Sequence, residues 1–484
     1  MAAARRFSDS TLHLRLTTLS AFEFTPPPPV ASYLRMSTDG PTSSNALALS
    51  AKALRTREQP ISYLINVAIQ NPGIVNLAAG LVDPLTLPVE ETAAITQRVF
   101  ADIARGRSAL QYDTTLGQAD LRREILKHLE KLEGAPASSL GITADDVLVT
   151  TGSQQALYLI GDTLLDPGDI VIAANPSYFV YTGALSSLGA TVLTAPMDAG
   201  GMNLDAVEKI LVELQHTNQL HRLKFIYCTS YFQNPTGLSL AAERRKRLYE
   251  LARDFSRAHR VLILEDAAYR ELRYDGDALP SIKSYDPDNQ HTIISHTFSK
   301  PFAPGIKLGY TIMPRDLLDP ILQQKGNHDF GSASVCQHIA LEALRSGSYY
   351  THVEKLRRSY RIKRDRTLEA LDRHMPKIPG VHWTHPHGGL YVWITLPEQI
   401  DTSRQSEMFQ TCLSRGVLYV PGDYCMQPDP GGKLARHHLR LSFGAVPIEK
   451  IEPGIERLAE VIREQLSAAP LAADDLAAVG EPAS

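Results

Sequence analysis

Short apolar runs alternate with longer helical stretches along most of this chain, and this alternation constrains the fold more than any other feature of its 484 residues. Such alternation is typical of an α/β protein with a mainly parallel sheet. The sequence therefore predicts a large, mainly parallel-sheet α/β domain. Its predicted buried strands lie at residues 147–151, 170–173, 224–228, 261–264, 292–295 and 309–312, and two of its predicted helices at residues 203–214 and 239–257.

A change of pattern near residue 349 divides the chain. A long charged helix is predicted from there to about His374, and strand-rich stretches follow at residues 381–383 and 390–394. These elements predict a smaller α+β domain, formed by the C-terminal segment together with an N-terminal one. The predicted division is an extension at residues 1–44, an N-terminal segment packing with the small domain at 45–85, the large domain at 86–348, the small domain at 349–467 and a disordered tail at 468–484.

The composition argues against several classes of function. A formal net charge of −4 leaves no basic footprint, so nucleic acid is not an expected partner. No stretch reaches the ~18 uninterrupted apolar residues that a membrane-spanning helix needs, so we expect no membrane partner. The four cysteines form no CxxC pair, and we expect them to be reduced thiols of a cytoplasmic protein.

The N-terminal extension leaves the location open. Residues 1–35 are rich in Arg, Ser and Thr and hold only Asp9 and Glu23 as acids, which is typical of an organelle transit peptide. In that case the protein is mitochondrial rather than cytoplasmic. A disordered extension explains the same composition, and so does a start site placed too early, with Met36 as the true first residue.

Two motifs follow the first two predicted strands of the large domain. Ser153 and Gln154 lie where a strand ends and a helix begins, and the unpaired N–H groups of a first helical turn bind phosphate readily. Ser153 also suits the structural role of helix N-cap. Tyr178 follows the next strand and is placed to stack on a cofactor ring, although a loop tyrosine is more often a packing residue.

Three polar residues follow the later strands. Asn234, Asp266 and Lys300 each lie at the carboxyl end of a predicted strand, the edge at which ligands bind to open α/β sheets. Turn chemistry alone explains the Pro and Gly that flank Asn234, but it does not explain this register. A lysine that forms a Schiff base, an aspartate for a pyridinium nitrogen and phosphate-binding hydroxyls are what pyridoxal phosphate (PLP) requires. The sequence therefore indicates PLP as cofactor.

The order of these motifs resembles that of class I/II PLP-dependent aminotransferases of fold type I. The resemblance covers about residues 45–467, and it is strongest to the branch of 2-aminoadipate and kynurenine aminotransferases. It implies transfer of the amino group of an L-amino acid to a 2-oxo acid, of 2-oxoglutarate or pyruvate type, in ping-pong half-reactions. It also implies a homodimer whose large domain, residues 86–348, binds the cofactor.

The resemblance also implies a role for each matching residue. Lys300 forms the Schiff base and moves the proton, Asp266 keeps the pyridine nitrogen protonated, and Tyr178 stacks on the ring. Asn234 and Tyr269 hydrogen-bond the phenolic oxygen of the cofactor. The residues implied around the phosphate are Ser153, Gln154, Thr297, Ser299, Lys307 and Tyr112, the last from the neighbouring subunit. Those implied around the substrate α-carboxylate are Arg440, Asn234 and Gly80.

Lys307 departs from the family pattern, which usually has Arg at this position. Lysine keeps the charge but loses the two-pronged guanidinium fork, so we expect a weaker grip on the phosphate. Thr297, where the close relatives often have Ser, is a milder change.

Other functions compete with transamination. A PLP-dependent lyase, decarboxylase or cyclopropane-forming synthase shares nearly every cofactor residue, and a ligand-sensing regulator shares the core. The roughly 45 residues before the core are too few and too Pro-rich for a winged helix. His382, His385 and His387 lack a carboxylate or cysteine partner at metal-ligand spacing, so no metal is expected.

Overall fold

A sheet of eight strands forms the centre of the computed structural model, which describes residues 47–429 and 431–468. In order across the sheet, the strands are β2 (Val147–Thr150), β9 (Gly309–Ile312), β8 (Thr292–Thr297), β7 (Leu262–Asp266), β6 (Leu223–Thr229), β3 (Ile170–Asn175), β4 (Thr191–Asp198) and β5 (Gly201–Met202). β8, β7, β6, β3 and β4 are mutually parallel. β9 is antiparallel to both of its neighbours, and β5 is antiparallel to β4. The prediction of a mainly parallel sheet is therefore confirmed.

The central strands are buried along nearly their whole length because helices cover both faces of the sheet. Successive side chains of one strand point to opposite faces. Val171 of β3 and Leu264 of β7 thus pack in the same cluster as Leu157 of the helix that follows β2. Their neighbours Ile172 and Ile263 pack in another cluster on the opposite face. This arrangement explains why the strands appear in the sequence as continuous apolar runs.

Two smaller sheets lie outside the central one. A four-stranded antiparallel sheet has the order β10 (His382–Trp383), β11 (Tyr391–Thr395), β14 (His438–Ser442) and β13 (Val420–Pro421). A two-stranded parallel sheet pairs β1 (Val75–Asn76) with β12 (Val417–Leu418). The second pairing brings a segment that precedes the central sheet in the chain against one that follows it.

Fourteen α-helices complete the described part of the chain. They are α1 (Ala51–Arg55), α2 (Pro60–Gln70), α3 (Val89–Ala101), α4 (Ile103–Ala109), α5 (Ala119–Glu133), α6 (Ser153–Leu164), α7 (Phe179–Leu188), α8 (Leu204–His216), α9 (Ala242–Asp254), α10 (Arg315–Asp329), α11 (Ser334–Ser346), α12 (Ser348–His374), α13 (Glu407–Ser414) and α14 (Ile448–Ala468). None of these helices is long and apolar enough to cross a membrane.

Local sequence explains where several helices begin and end. α8 begins after Asn203, whose side-chain oxygen accepts a hydrogen bond from the Ala206 N–H at 3.0 Å and so caps the helix. α7 ends at Gly189, which has a φ of 88°, a conformation that costs glycine little. The predicted helix at 239–257 is shorter than expected, because it begins at Ala242 and ends at Asp254.

The predictions for the chain ends fall largely outside the described residues. This applies to the targeting segment, to the alternative start at Met36 and to the disordered tail beyond Ala468. The division into a large and a small domain also stays a prediction. The four cysteines are all free thiols in the structure.

Candidate active site

A cavity of about 230 Å³ lies at the carboxyl edge of the central sheet. It is lined by the loops that follow β2, β3, β6, β7 and β8, because the parallel strands and β2 all end at this edge. Among the residues predicted from the sequence, those lining it are Ser153, Gln154, Tyr178, Asn234, Asp266, Tyr269, Thr297, Ser299, Lys300 and Lys307. The cavity thus brings together residues that are up to 154 positions apart in the sequence, from Ser153 to Lys307.

Asp266 is the last residue of β7 and is only 4% exposed. The hydroxyl group of Tyr227 donates a hydrogen bond to one carboxylate oxygen at 2.9 Å, and the Ala268 N–H donates to the other at 3.1 Å. No Lys, Arg or His among the described residues forms an ion pair with it. Burial raises the pKa of Asp266 to about 6, although the Tyr227 hydrogen bond opposes that shift. The carboxylate thus lacks a cationic partner.

A glycine forms the entrance to α6 at the edge of the cavity. Gly152 is the N-cap residue, with a φ of 75°, and it carries no side chain that could fill the space before the helix. The prediction that Ser153 could act as N-cap is wrong, because Ser153 is the first residue of the helix itself. Its hydroxyl group is therefore not needed to cap the helix, and Ser153 lines the cavity beside the first turn, whose N–H groups have no partner within the helix.

The loop after β8 supplies hydroxyl groups and the lysine. Thr297 ends the strand, and its hydroxyl group donates to the Ser299 hydroxyl at 2.9 Å and accepts from the Ser299 N–H at 3.1 Å. The half-buried Lys300 follows, and its ammonium nitrogen donates to the carbonyl oxygen of Gly80 at 2.8 Å. This nitrogen lies 5.8 Å from the centre of the Tyr269 ring.

Lys307 ends the same loop. It has a φ of 49° and closes the helical turn Pro304–Ile306 in the left-handed region. Its side chain is exposed and makes no ion pair with any residue that the structure describes. Together with Ser153 and Ser299, it gives the cavity a corner of hydroxyl groups, helix N–H groups and one free positive charge, which is suited to a phosphate.

Arg440 adjoins the cavity from β14 and is only 1% exposed. One terminal nitrogen donates to the side-chain oxygen of Asn234 at 2.7 Å, and the other donates to the Ala78 carbonyl oxygen at 2.7 Å. The buried Nε–H has no acceptor. No carboxylate in the described ranges pairs with this guanidinium group, so the site holds a buried cation as well as a buried anion without counter-ions.

Gly80 lies beside these groups, at a position that has no space for a larger residue. A Cβ atom at this position would collide with the hydroxyl group of Tyr391. That tyrosine was not predicted as a site residue, and its hydroxyl oxygen lies 2.9 Å from that of Tyr269. Tyr227 and Thr229, which are hydrogen-bonded to each other beside the cavity, were not predicted either. All three belong to strands, where their spacing indicates only burial.

Tyr112 is not part of the cavity. It is 82% exposed, and its ring contacts that of Phe330 edge to face with 5.5 Å between the ring centres. The histidines His382, His385 and His387 line a separate cleft of about 780 Å³. Within the described ranges, no group of three or more His, Cys, Asp or Glu residues is arranged to hold a metal ion.

The sequence model of one protein family, "Aminotransferase class I and II", matches residues 72–458. The chain belongs to this family. It is 35% identical over 433 residues to aromatic-amino-acid aminotransferase 1 of Thermococcus litoralis, with 90% of this chain and 98% of the relative covered.

Solved structures of such enzymes have the same fold. A multiple substrate aminotransferase from Thermococcus profundus has a TM-score of 0.79 and 35% identity, and the match covers 87% of this chain and 98% of that one. LysN, an α-aminoadipate aminotransferase from Thermus thermophilus solved with N-(5′-phosphopyridoxyl)-L-leucine, has a TM-score of 0.74 and 31% identity, with 87% and 98% covered.

These similarities confirm the predicted fold class, family, cofactor and reaction type. The protein is a fold-type I, PLP-dependent aminotransferase, and the alternatives of a lyase or a regulator are not favoured. The cavity fits PLP on physical grounds. Asp266, an anion without a cationic partner, lines the same cavity as the Lys300 amine and the groups suited to phosphate.

Proposed function

We propose that the aminotransferase moves the amino group of an L-amino acid to a 2-oxo acid of the 2-oxoglutarate or pyruvate type, with Lys300 as its reactive amine. The pair of buried charges without counter-ions carries this proposal. Asp266 would gain a partner from the protonated ring nitrogen of PLP, and Arg440 would gain one from the substrate α-carboxylate. A ligand set with one positive and one negative end satisfies both.

The other residues that line the cavity are assigned roles in cofactor binding by their positions in it. Ser153, the Gln154 N–H, Thr297, Ser299 and Lys307 would hold the phosphate, and the half-buried Tyr178 would cover one face of the ring. Asn234 and Tyr269 would donate to the phenolic oxygen. When bound, PLP supplies a carbonyl group that takes the amino group and a ring that withdraws electrons.

Lys300 is the residue that we propose for proton transfer. Its amine is half-buried, lines the cavity and makes one hydrogen bond, to a neutral carbonyl oxygen, so it is free to exchange that bond for a substrate. Lys300 Nζ would accept the proton that the amino acid loses from its Cα, the step that a positioned general base accelerates.

The residues that we propose to orient the substrate are Arg440, Asn234 and Gly80. The planar guanidinium group matches the two oxygens of a carboxylate, and Asn234 holds it by accepting from one of its nitrogens. Gly80 would allow the carboxylate to approach the backbone closely. For the amino-group donor we propose an aromatic L-amino acid, because this is the substrate class named for the Thermococcus litoralis relative.

The exposed position of Tyr112 supports a homodimer. Leu110, Tyr112 and Phe330 are exposed apolar side chains close to one another in the chain or in space, which is unusual for a surface that faces only water. A second copy of the chain would cover them, and its Tyr112 hydroxyl would reach the phosphate of the neighbouring site.

We further propose the large and small domains at residues 86–348 and 349–467. The four free cysteines support a cytoplasmic location.

The experiment that tests the proposed function compares Arg440→Gln with Arg436→Gln. Losing two charge-assisted hydrogen bonds should raise the KM for the amino acid by about 100-fold, while the Kd for PLP changes by less than about threefold. Arg436 is a suitable control because it lies four residues earlier, is exposed and, among the residues that the structure describes, forms an ion pair only with Asp401. An unchanged KM in Arg440→Gln would contradict the carboxylate-binding role.

A further inference from the structure

The side chain of Tyr391 lies where three proposed site residues meet. Its hydroxyl oxygen is 2.9 Å from that of Tyr269, and the Arg440 guanidinium carbon lies 4.4 Å from the centre of its ring. The same hydroxyl group occupies the space that a Cβ atom on Gly80 would need. Tyr391 is 2% exposed, so no bulk water competes for this contact. Its hydroxyl group therefore has a defined partner inside the site.

The direction of the hydrogen bond between the two tyrosines follows from proton counting. Each phenol has one proton to donate, and its oxygen can also accept. In the proposed function, Tyr269 donates its proton to the phenolic oxygen of PLP. It can then take part in the contact with Tyr391 only as an acceptor, which makes Tyr391 the donor.

We propose that Tyr391 is a positioning residue that donates to Tyr269 and thereby keeps the Tyr269 proton directed at the bound cofactor. The proposal rests on the proposed role of Tyr269 and assigns to Tyr391 a task that packing alone would not require. A phenol that accepts a hydrogen bond becomes a better donor, because chains of hydrogen bonds polarise one another.

The hydrogen bonds around Asp266 form an arrangement of the same kind. The Thr229 hydroxyl donates to the Tyr227 oxygen at 3.2 Å, and Tyr227 donates its own proton to Asp266 at 2.9 Å. In both places, a hydroxyl group would donate to the oxygen of a phenol. The phenol would then donate its own proton to a different group in the site. Burial raises the pKa of Tyr269 well above its usual range, so Tyr269 keeps the proton that it must donate.

Two contacts hold Tyr391 itself in place. Its residue pairs with Ser442 across β11 and β14, two positions from Arg440 on the neighbouring strand. The guanidinium group over the ring face adds a cation–π interaction. Because this contact uses the ring and not the hydroxyl group, Tyr391→Phe removes the donor and keeps the packing.

The test is a double-mutant cycle with Tyr391→Phe, Tyr269→Phe and the combined variant. It measures the Kd for PLP and the pH midpoint at which bound PLP changes its absorbance. A weaker Tyr269 donor stabilises the deprotonated phenolic oxygen less, so Tyr391→Phe should raise that midpoint by about half a unit and weaken PLP binding about threefold. In the combined variant, the effect should equal that of Tyr269→Phe alone, because Tyr391 acts through Tyr269.

Tyr419→Phe is the matched control. Tyr419 is equally buried, and its hydroxyl group donates to the Thr402 carbonyl oxygen at 3.0 Å, outside the cavity lining. Its loss should lower the temperature of unfolding and leave the pH midpoint unchanged. A 3-fluorotyrosine at position 391 should shift the midpoint downwards, because the fluorine makes the phenol a stronger donor, and this variant keeps the test valid if Tyr391→Phe fails to fold.

Two outcomes would overturn the inference in different ways. Additive effects of the two single substitutions would show that Tyr391 does not act through Tyr269, with the proposed function intact. A Tyr269→Phe variant with an unchanged midpoint would refute the role of Tyr269 itself, and the role of Tyr391 with it.

Discussion

The ammonium group of Lys300 donates a hydrogen bond to the carbonyl oxygen of Gly80, and 2.8 Å separates the two atoms. The lysine thus contacts the segment that precedes the central sheet in the chain, beside the tyrosine Tyr391 that excludes a side chain at Gly80. An amine held in this way contributes little to folding, because one hydrogen bond to a neutral acceptor stabilises by only about 1 kcal/mol. Its position is better explained by the reaction.

We therefore expect Lys300→Ala to abolish amino-group transfer and to remain folded with PLP bound non-covalently. Borohydride reduction followed by mass spectrometry should find the cofactor attached to wild-type Lys300 and unattached in the variant. Lys246→Ala serves as control, since Lys246 is exposed and pairs weakly with Glu250 at 3.7 Å. A covalent adduct that persists in Lys300→Ala would place the reactive amine elsewhere.

Asp266→Asn should lower the activity of the enzyme and raise the stability of the cofactor-free protein. Burial raises the pKa of Asp266 from 3.8 to about 6, so the folded state binds the proton more tightly than the unfolded state. The stability that this group contributes is fully present below about pH 4 and is lost as the pH rises through 6. At pH 8 the ionised carboxylate therefore costs the cofactor-free protein about 3 kcal/mol.

Urea unfolding of the cofactor-free proteins measures this effect. Asp266→Asn should unfold at a higher urea concentration than wild type at pH 8, and the gain should fall to about half at pH 5. The same variant should lose more than about 100-fold in kcat with PLP still bound, because Asn supplies no charge to the ring nitrogen. Near-normal turnover would show that the ring does not depend on this carboxylate.

The dimer prediction concerns Tyr112. Light scattering of the PLP-bound enzyme should give twice the 53.3 kDa mass of the chain. Tyr112→Phe should keep that mass and weaken PLP binding severalfold, because it removes one hydrogen bond to the phosphate. Tyr249→Phe, far from the cavity lining and packed against His291, should change neither quantity. A fully active monomer would contradict the shared site.

Lys307→Arg should tighten PLP binding by about 1 kcal/mol, the contribution of one added charge-assisted hydrogen bond. Both residues must adopt the same left-handed backbone conformation, so the comparison isolates the side-chain head group. Stopped-flow or dialysis measurements of PLP dissociation decide the matter. Equal or faster dissociation from the arginine variant would mean that the loop from Pro304 to Ile306 is shaped around lysine.

Sequence reasoning located Lys300, Asp266 and Asn234 because strand ends leave a local signature. A buried apolar run followed by a polar residue marks the sheet edge, and parallel strands bring such edges together. Tyr227 and Tyr391 leave no such signature. Their importance depends on the side chains that the fold places beside their hydroxyl groups, Asp266 for Tyr227 and Tyr269 for Tyr391.

Smaller differences have local causes. Ser153 is the first residue of α6 and not its N-cap. The N-cap position is occupied by Gly152, which has a φ of 75°. β4 was not predicted at all. It is only partly buried along most of its length and contains Pro196, which weakens the pattern of a central strand.

The hydrogen bond from Arg440 to the Ala78 carbonyl oxygen spans 362 positions of the chain. The subsite proposed for the substrate carboxylate therefore contains one group from each end of the described chain. During synthesis, all strands of the central sheet leave the ribosome long before Arg440 does. A nascent chain that ends before β14 already contains every residue proposed to contact PLP, yet it lacks the guanidinium group proposed to bind the amino acid.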